Sequence, residues 1–171
     1  LKYDGIQRIS LIELDPKIIQ LAQQDFRFLR LNEDSLKNPK VQVFVTDAYQ
    51  FIKTTNQKFD AVFIDFPFPF WYEISRLYSV EFYKHVSKIL SEDGFAVLDC
   101  PIYRDYADVT NTPQAIIART AQASGFQQVF LYGPLDPFLF LSQKSEKPRF
   151  NYDRLPEFVQ NKTYVNLTQL S

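Results

Sequence analysis

Gln7-Arg8-Ile9-Ser10-Leu11-Ile12-Glu13-Leu14-Asp15-Pro16 is the stretch on which the fold turns. Residues 7–14 are apolar and β-rich enough for a strand. They run without a break into Asp15, a residue type that caps helix N-termini, and Pro16, whose fixed φ suits a first helical turn. A strand that hands over directly to a helix is the start of a β-α unit. The helix is expected over residues 16–29, with Ile18, Leu21, Ala22 and Leu29 on one face at helical spacing. The polar residues 32–40, which include Pro39, then end it.

The same hand-over recurs along the chain. Residues 41–45 read as a strand ending at Thr46-Asp47, and a short helix follows through Tyr49, Phe51 and Ile52. Residues 59–64 (FDAVFI) form a third apolar run bounded by Asp65, and the prolines of Phe66-Pro67-Phe68-Pro69-Phe70-Trp71 stop any regular element there. Ser79 is suited to cap a helix through Leu90, the turn Glu92-Asp93-Gly94 ends it, and residues 95–100 form a fourth strand. Thr112-Pro113 opens a helix reaching Ser124-Gly125. Residues 127–132 and 138–142 then form an antiparallel pair joined by Gly133-Pro134-Leu135-Asp136-Pro137. The order β-α-β-α-β-α-β-α-β-β, with short continuously apolar strands, predicts an α/β open sheet, mainly parallel and covered on both faces. One domain is expected over residues 1–143, with residues 144–171 as a C-terminal appendage.

Composition narrows the function. The 171 residues are 46% hydrophobic, 16% aromatic and 23% charged, the make-up of one globular domain. Nineteen basic against twenty acidic residues leave a formal net charge of −1, which excludes a charge-driven nucleic-acid binder. A spanning helix needs about 20 mostly apolar residues, and the longest apolar stretch, residues 61–71, is broken by Asp65 and two prolines. Cys100 and His85 are the only residues of their types, so there is no internal disulfide and no ordinary zinc site. His85 falls in a helical stretch and is expected to be structural. The chain has no methionine and begins at Leu1, so it is expected to be part of a longer polypeptide.

In open α/β sheets, ligands bind outside the carboxyl ends of the strands. Three strands carry an acid at that end: Glu13, Asp47 and Asp65. Glu13 has the reach and acceptor geometry to take both hydroxyls of a ribose. Asp47 suits either an exocyclic amine of adenine or the cap of the following helix, and Asp15 suits a cap. Asp65 reads as a ligand-binding carboxylate.

The segments Ile12-Glu13-Leu14-Asp15-Pro16, Val45-Thr46-Asp47-Ala48, Phe59-Asp60-Ala61-Val62-Phe63-Ile64-Asp65, Leu77-Tyr78-Ser79-Val80-Glu81-Phe82-Tyr83 and Leu90-Ser91-Glu92-Asp93-Gly94-Phe95 together resemble successive motifs of the spermidine synthase (polyamine aminopropyltransferase) family. The resemblance covers residues 9–100 well and the remainder weakly. The acid-x-Asp-Pro and Asp-Ala signals are shared with class I S-adenosylmethionine-dependent methyltransferases. The LYSxEFY segment resembles the bacterial aminopropyltransferases fused to membrane segments.

The resemblance implies a Rossmann-like, class I methyltransferase-type sheet whose first strand and Gly-rich turn lie upstream of Leu1. A fragment without them is expected to be inactive alone. It implies transfer of an aminopropyl group from decarboxylated S-adenosylmethionine, as co-substrate and not a resident cofactor, to a diamine such as putrescine. Glu13 would hold the ribose, Asp47 and Ala48 the adenine, and Asp65 would orient the attacking amine or accept its proton. No metal is implied. Membrane-spanning segments elsewhere in the polypeptide, a cytoplasmic location at a bacterial inner membrane and a homodimer are further expectations. Where the family reads Asp-x-x-Asp-Pro, this chain reads Asp65-Phe66-Pro67-Phe68-Pro69, so Phe68 stands at the second acid. The alternatives are an S-adenosylmethionine-dependent methyltransferase, which needs no second acid, and a non-catalytic domain of the same fold.

Overall fold

The computed structural model of the protein describes residues 1–67, 69, 71–99, 112–132 and 138–146. The chain divides into two compact units, Leu1–Thr55 and Asn56–Ser171. Strands and helices alternate through both.

In the first unit, β1 (Ile9–Glu13) pairs in parallel with β2 (Val41–Val45), Ile9 beside Val41 and Glu13 beside Val45. Asp15 ends β1 by capping α1 (Pro16–Gln24): its carboxylate accepts from the Lys17 N–H at 2.8 Å, with Pro16 in the first turn. The single helix expected over residues 16–29 is in fact two, because Asp25 intervenes. Its N–H closes α1 on the Leu21 carbonyl, and its side chain caps α2 (Phe26–Asn32) through the Arg27 N–H at 2.9 Å. A cap residue with extended backbone inside an otherwise helical pattern stops one helix and starts the next. Asn32 ties the two together, donating from Nδ2 to the Ala22 carbonyl at 2.8 Å. Glu33 and Asp34 leave α2 in the left-handed region, at φ 53° and 55°. A short 3-10 turn, Ser35–Lys37, leads to β2, and α3 (Ala48–Thr54) follows it. Among the described residues, β1 has a strand neighbour on one edge only.

In the second unit, the strands stand in the order β3 (Phe59–Ile64), β4 (Leu90–Asp99), β6 (Phe138–Ser142), β5 (Gln128–Tyr132). β3 and β4 are parallel, and the other two pairings are antiparallel. The last two strands form the antiparallel pair expected from the sequence, and their connection lies outside the described residues. α4 (Tyr72–Ser75), α5 (Val80–Ile89) and α6 (Pro113–Ala123) complete the unit. Ser79 caps α5, accepting from the Phe82 N–H at 3.1 Å, and Thr112 caps α6 through the Ala115 N–H at 3.2 Å.

The sheet is two-faced. Ala96, Leu98, Leu139 and Leu141, at most 1% exposed, share one face by register, and they form the core with Phe82, Tyr83 and Val86 of α5 and Ile117 and Ala121 of α6. The opposite face carries an aromatic row crossing all four strands. Phe63 meets Phe95 at 6.4 Å, Phe95 stacks on Phe140 at 5.4 Å, and Phe140 stacks on Phe130 at 5.0 Å. Offset and edge-on pairs of this kind add about 0.5–1.5 kcal/mol beyond the area they bury. The row ends on Phe63, 76% exposed, in β3, whose outer edge has no strand neighbour among the described residues.

β4 begins earlier than its sequence suggests. The turn expected at Glu92-Asp93-Gly94, before a strand at residue 95, lies within β4. Leu90 already pairs with Phe59, and the register shifts before Ala61 meets Phe95. The intervening residues bulge, and glycine is required there: a Cβ on Gly94 would stand 2.8 Å from the Phe59 carbonyl oxygen and 2.9 Å from the Ser91 nitrogen. Ser91 Oγ donates to Asp60 of β3 at 2.8 Å, and Lys58, the residue before β3, donates from Nζ to the Lys88 carbonyl in the last turn of α5 at 2.5 Å. Cys100 and the tail 147–171 lie outside the described residues.

Candidate functional site

The acids predicted from the sequence fall in two groups. Glu13 and Asp47 belong to the first unit. Glu13 is the last residue of β1 and half-buried, and its Oε1 accepts from the Asp15 N–H at 2.8 Å, which fixes the carboxylate at the strand end. Its backbone carbonyl accepts from the Thr46 N–H at 2.9 Å, so the carboxyl ends of β1 and β2 are tied together. Asp47 follows directly. It caps α3, accepting from the Gln50 N–H at 3.0 Å, and Ala48 is the first residue of that helix. The structure thus gives Asp47 the cap role and brings Glu13, Asp47 and Ala48 to one edge of the two-stranded sheet.

Glu13 also lines a cavity of about 320 Å³ whose walls include Leu11, Ile18, Ile19, Phe28 and Leu31. At its polar side stands Asn32, whose Oδ1 is shielded from solvent without a hydrogen bond. An apolar cleft with a few convergent polar groups is the ordinary form of a small-molecule site.

Asp65 lies in the second unit, exposed, immediately beyond β3. The loop after it is held by aromatic contacts. Phe66 packs edge-on against Tyr78 at 6.5 Å and Phe82 at 5.6 Å, and the Tyr78 hydroxyl donates to the carbonyls of Phe66 at 3.3 Å and Pro67 at 3.1 Å. Phe66 is therefore an anchor, while Trp71 and Tyr72, 71% and 87% exposed, stand in solvent. Phe68 and Phe70 lie outside the described residues.

The strand register identifies an acid that the sequence reading passed over. Ile64 of β3 lies beside Leu98 of β4. The next residues are Asp65 and Asp99, so two aspartates end adjacent parallel strands. The sequence reading placed the fourth strand over residues 95–100 and gave Asp99 no role; the described part of β4 runs to Asp99, and Cys100 lies outside the described residues. The signal was an acid closing an apolar run, the same signal that marked Glu13 and Asp65. His85 is half-buried within α5, away from any of these strand ends in sequence. Among the described residues, no group of three or more His, Cys, Asp or Glu side chains comes together as metal ligands would.

Comparison with known proteins places the chain among polyamine aminopropyltransferases in sequence and among spermidine synthase-like proteins in fold. The polyamine aminopropyltransferase 1 of Streptomyces coelicolor is 38% identical over 94 residues, 55% of this chain and 18% of that protein. The polyamine aminopropyltransferase of Oceanobacillus iheyensis is 35% identical over 94 residues, again 55% of this chain and 18% of the relative. The chain thus spans about a fifth of the length of these relatives. In fold it is similar to the spermidine synthase of Thermotoga maritima, with a TM-score of 0.65 at 19% identity over 85% of this chain and 48% of that one. It is also similar to human methyltransferase-like protein 13 in complex with SAH, with a TM-score of 0.61 at 18% identity over 96% of this chain and 78% of that one. The α/β fold expected from the sequence is the fold these proteins share. The model of the spermine/spermidine synthase domain matches residues 1–112, well over half of the chain, and the protein belongs to that family.

Proposed function

We propose that this chain carries the substrate-binding strand ends of a polyamine aminopropyltransferase. The reaction moves an aminopropyl group from decarboxylated S-adenosylmethionine to a diamine. The observation that supports this best is the occurrence of Glu13, Asp47 and Asp65 at strand carboxyl ends within a chain of this family. Glu13 takes the ribose hydroxyls with the carboxylate oxygen that Asp15 does not occupy. Ala48 and the capping turn of Asp47 border the adenine.

Asp65 handles the amine. An alkylammonium has no lone pair and does not attack carbon, so a carboxylate must bind it and take a proton first. The free amine then attacks the aminopropyl carbon next to the sulfonium. The C–S bond breaks, its electron pair goes to sulfur, and methylthioadenosine leaves. Both partners are cations, and carboxylates at the strand ends favour both.

A methyltransferase is the second reading, because Phe68 replaces the acid that the family uses for its amine. Ligand preference separates the two. Calorimetric titration with methylthioadenosine, S-adenosylmethionine and decarboxylated S-adenosylmethionine is the test, with Glu13→Gln and Asp65→Asn as controls. A preference for the decarboxylated ligand that Glu13→Gln abolishes supports aminopropyl transfer. A preference for S-adenosylmethionine supports methyl transfer, and no binding by the polypeptide in its full length leaves a non-catalytic domain.

A further inference from the structure

Asp65 is exposed, and among the described residues no hydrogen bond or ion pair reaches its carboxylate. Its direction therefore comes from its own backbone, which is pinned on both sides. Before it, Ile64 is buried and paired with Leu98 in the parallel ladder of β3 and β4. After it the chain enters Phe66-Pro67, and Pro67 has no N–H with which to close a turn. The hold on this side comes from another segment. Tyr78, which ends the 3-10 turn Arg76–Tyr78, shares its hydroxyl proton between the carbonyls of Phe66 at 3.3 Å and Pro67 at 3.1 Å. The Phe66 ring stands edge-on to Tyr78 at 6.5 Å and to the buried Phe82 at 5.6 Å. Tyr78 is fixed in turn, because the next residue, Ser79, caps α5 on the Phe82 N–H.

We propose that Tyr78 is a positioning residue for aminopropyl transfer: its hydroxyl, acting through the Phe66 and Pro67 carbonyls, aims the Asp65 carboxylate at the amine. The inference rests on the aminopropyl-transfer reading and adds to that site a residue that acts at one remove from the amine. A carboxylate that takes a proton must stand within about 2.6–3.2 Å of the nitrogen that gives it. A misplacement of about 1 Å costs on the order of a hundredfold in rate. An exposed acid gains that precision only if the residues on either side of it are held. On one side the ladder holds Ile64, and on the other Tyr78 holds Phe66 and Pro67. A phenol suits the second task, because its ring packs on Phe66 while its hydroxyl reaches the carbonyls. Phenylalanine at this position would keep the first contact and lose the second.

The test is steady-state kinetics on the polypeptide in its full length, with decarboxylated S-adenosylmethionine and 1,4-diaminobutane as substrates. Tyr78→Phe is made alone and together with Asp65→Asn, and product is counted by mass spectrometry over hours so that residual rates are read. The expected result is a kcat about tenfold lower in Tyr78→Phe, with the KM for decarboxylated S-adenosylmethionine unchanged. Added to Asp65→Asn, the same substitution should lower the residual kcat less than about twofold, because the group it aims is already gone. An unchanged kcat in Tyr78→Phe, or an equal loss in both backgrounds, overturns the positioning role and leaves the aminopropyl-transfer reading standing. No turnover by the wild-type polypeptide, or full activity in Asp65→Asn, removes that reading and the role of Tyr78 with it. Phe66→Leu loosens the same clamp from the loop side and should show the same pattern, so a poorly folding Tyr78 variant does not obscure the result.

Discussion

The Tyr78 hydroxyl donates to the Pro67 carbonyl at 3.1 Å and to that of Phe66 at 3.3 Å, so one side chain holds the two peptide units that follow Asp65. Asp65 stands between an apolar strand and a loop rich in proline, and its direction depends on what fixes that loop. The LYSxEFY segment supplies the clamp. Tyr78 bonds the backbone, and Tyr78 and Phe82 receive the Phe66 ring.

Tyr78→Phe keeps the ring contact and removes the donor. The expected cost is about 1 kcal/mol of stability, the net value of one such hydrogen bond. The larger effect is local: amide exchange at Asp65 and Phe66 should speed up while the core strand β4 keeps its protection. Unchanged exchange at those amides would show that the clamp is not what orders the loop.

Gly94→Ala should destabilise the second unit by about 1–3 kcal/mol, the range for forcing extra atoms into a packed site. The added Cβ meets backbone, the Phe59 carbonyl at 2.8 Å and the Ser91 nitrogen at 2.9 Å, and backbone cannot swing aside as a side chain can. Gly5→Ala is the control, because nothing lies within 4 Å of a Cβ there. Urea unfolding of both variants checks the difference, and equal midpoints would contradict the close approach at the bulge.

How much of this was legible in the sequence follows from range. Asp15, Ser79 and Thr112 act on N–H groups two or three residues away, so their caps could be read from the chain. Asp25 acts equally locally, but it sits between Ile18, Leu21 and Ala22 on one side and Leu29 on the other, whose spacing suits one continuous helix, and periodicity hid the break. The bulge at Gly94 and the pairing of Ile64 with Leu98, each one residue before an aspartate, depend on which residue of β4 stands beside which residue of β3. Ile64 and Leu98 are brought level by a register shift between Phe59 and Ala61, and which residues face each other after a shift cannot be read from either strand alone. The acids at strand ends were legible; their neighbours were not.

Glu33→Gly should stabilise the protein by about 0.5–1 kcal/mol. Glu33 ends α2 at φ 53°, in the left-handed region, which costs a residue with a Cβ about 1 kcal/mol and costs glycine little. The substitution also removes the ion pair with Lys2 at 3.0 Å, but both side chains are more than half exposed and such pairs contribute little. A higher urea midpoint with an unchanged slope supports the strain at this cap. A lower one would mean that the Lys2 pair outweighs it.

Asp25 predicts an acid limb of stability confined to a narrow pH window. The Arg27 side chain donates to both of its carboxylate oxygens, at 3.0 and 2.8 Å, and this hydrogen bonding, with the Arg27 N–H behind it, pulls the Asp25 carboxyl from 3.8 down to about 2. The folded-state value lies below the ordinary one, so the charged form is the one that folding favours. The contribution is therefore fully present above 3.8, declines as the pH falls towards about 2, and is absent below that. Asn is as good a helix cap as Asp but does not titrate, so Asp25→Asn keeps the junction between α1 and α2 and removes the pH dependence. Urea midpoints of the two proteins should converge as the pH is lowered through this window and stay parallel above it. Arg27→Ala should raise the Asp25 titration midpoint only part of the way to 3.8, because the backbone N–H groups of residues 27 and 28 still donate to the carboxylate. Carbon-13 titration of Asp25 reads this directly, and a midpoint that does not move in Arg27→Ala would place the cause of the depression in the backbone alone.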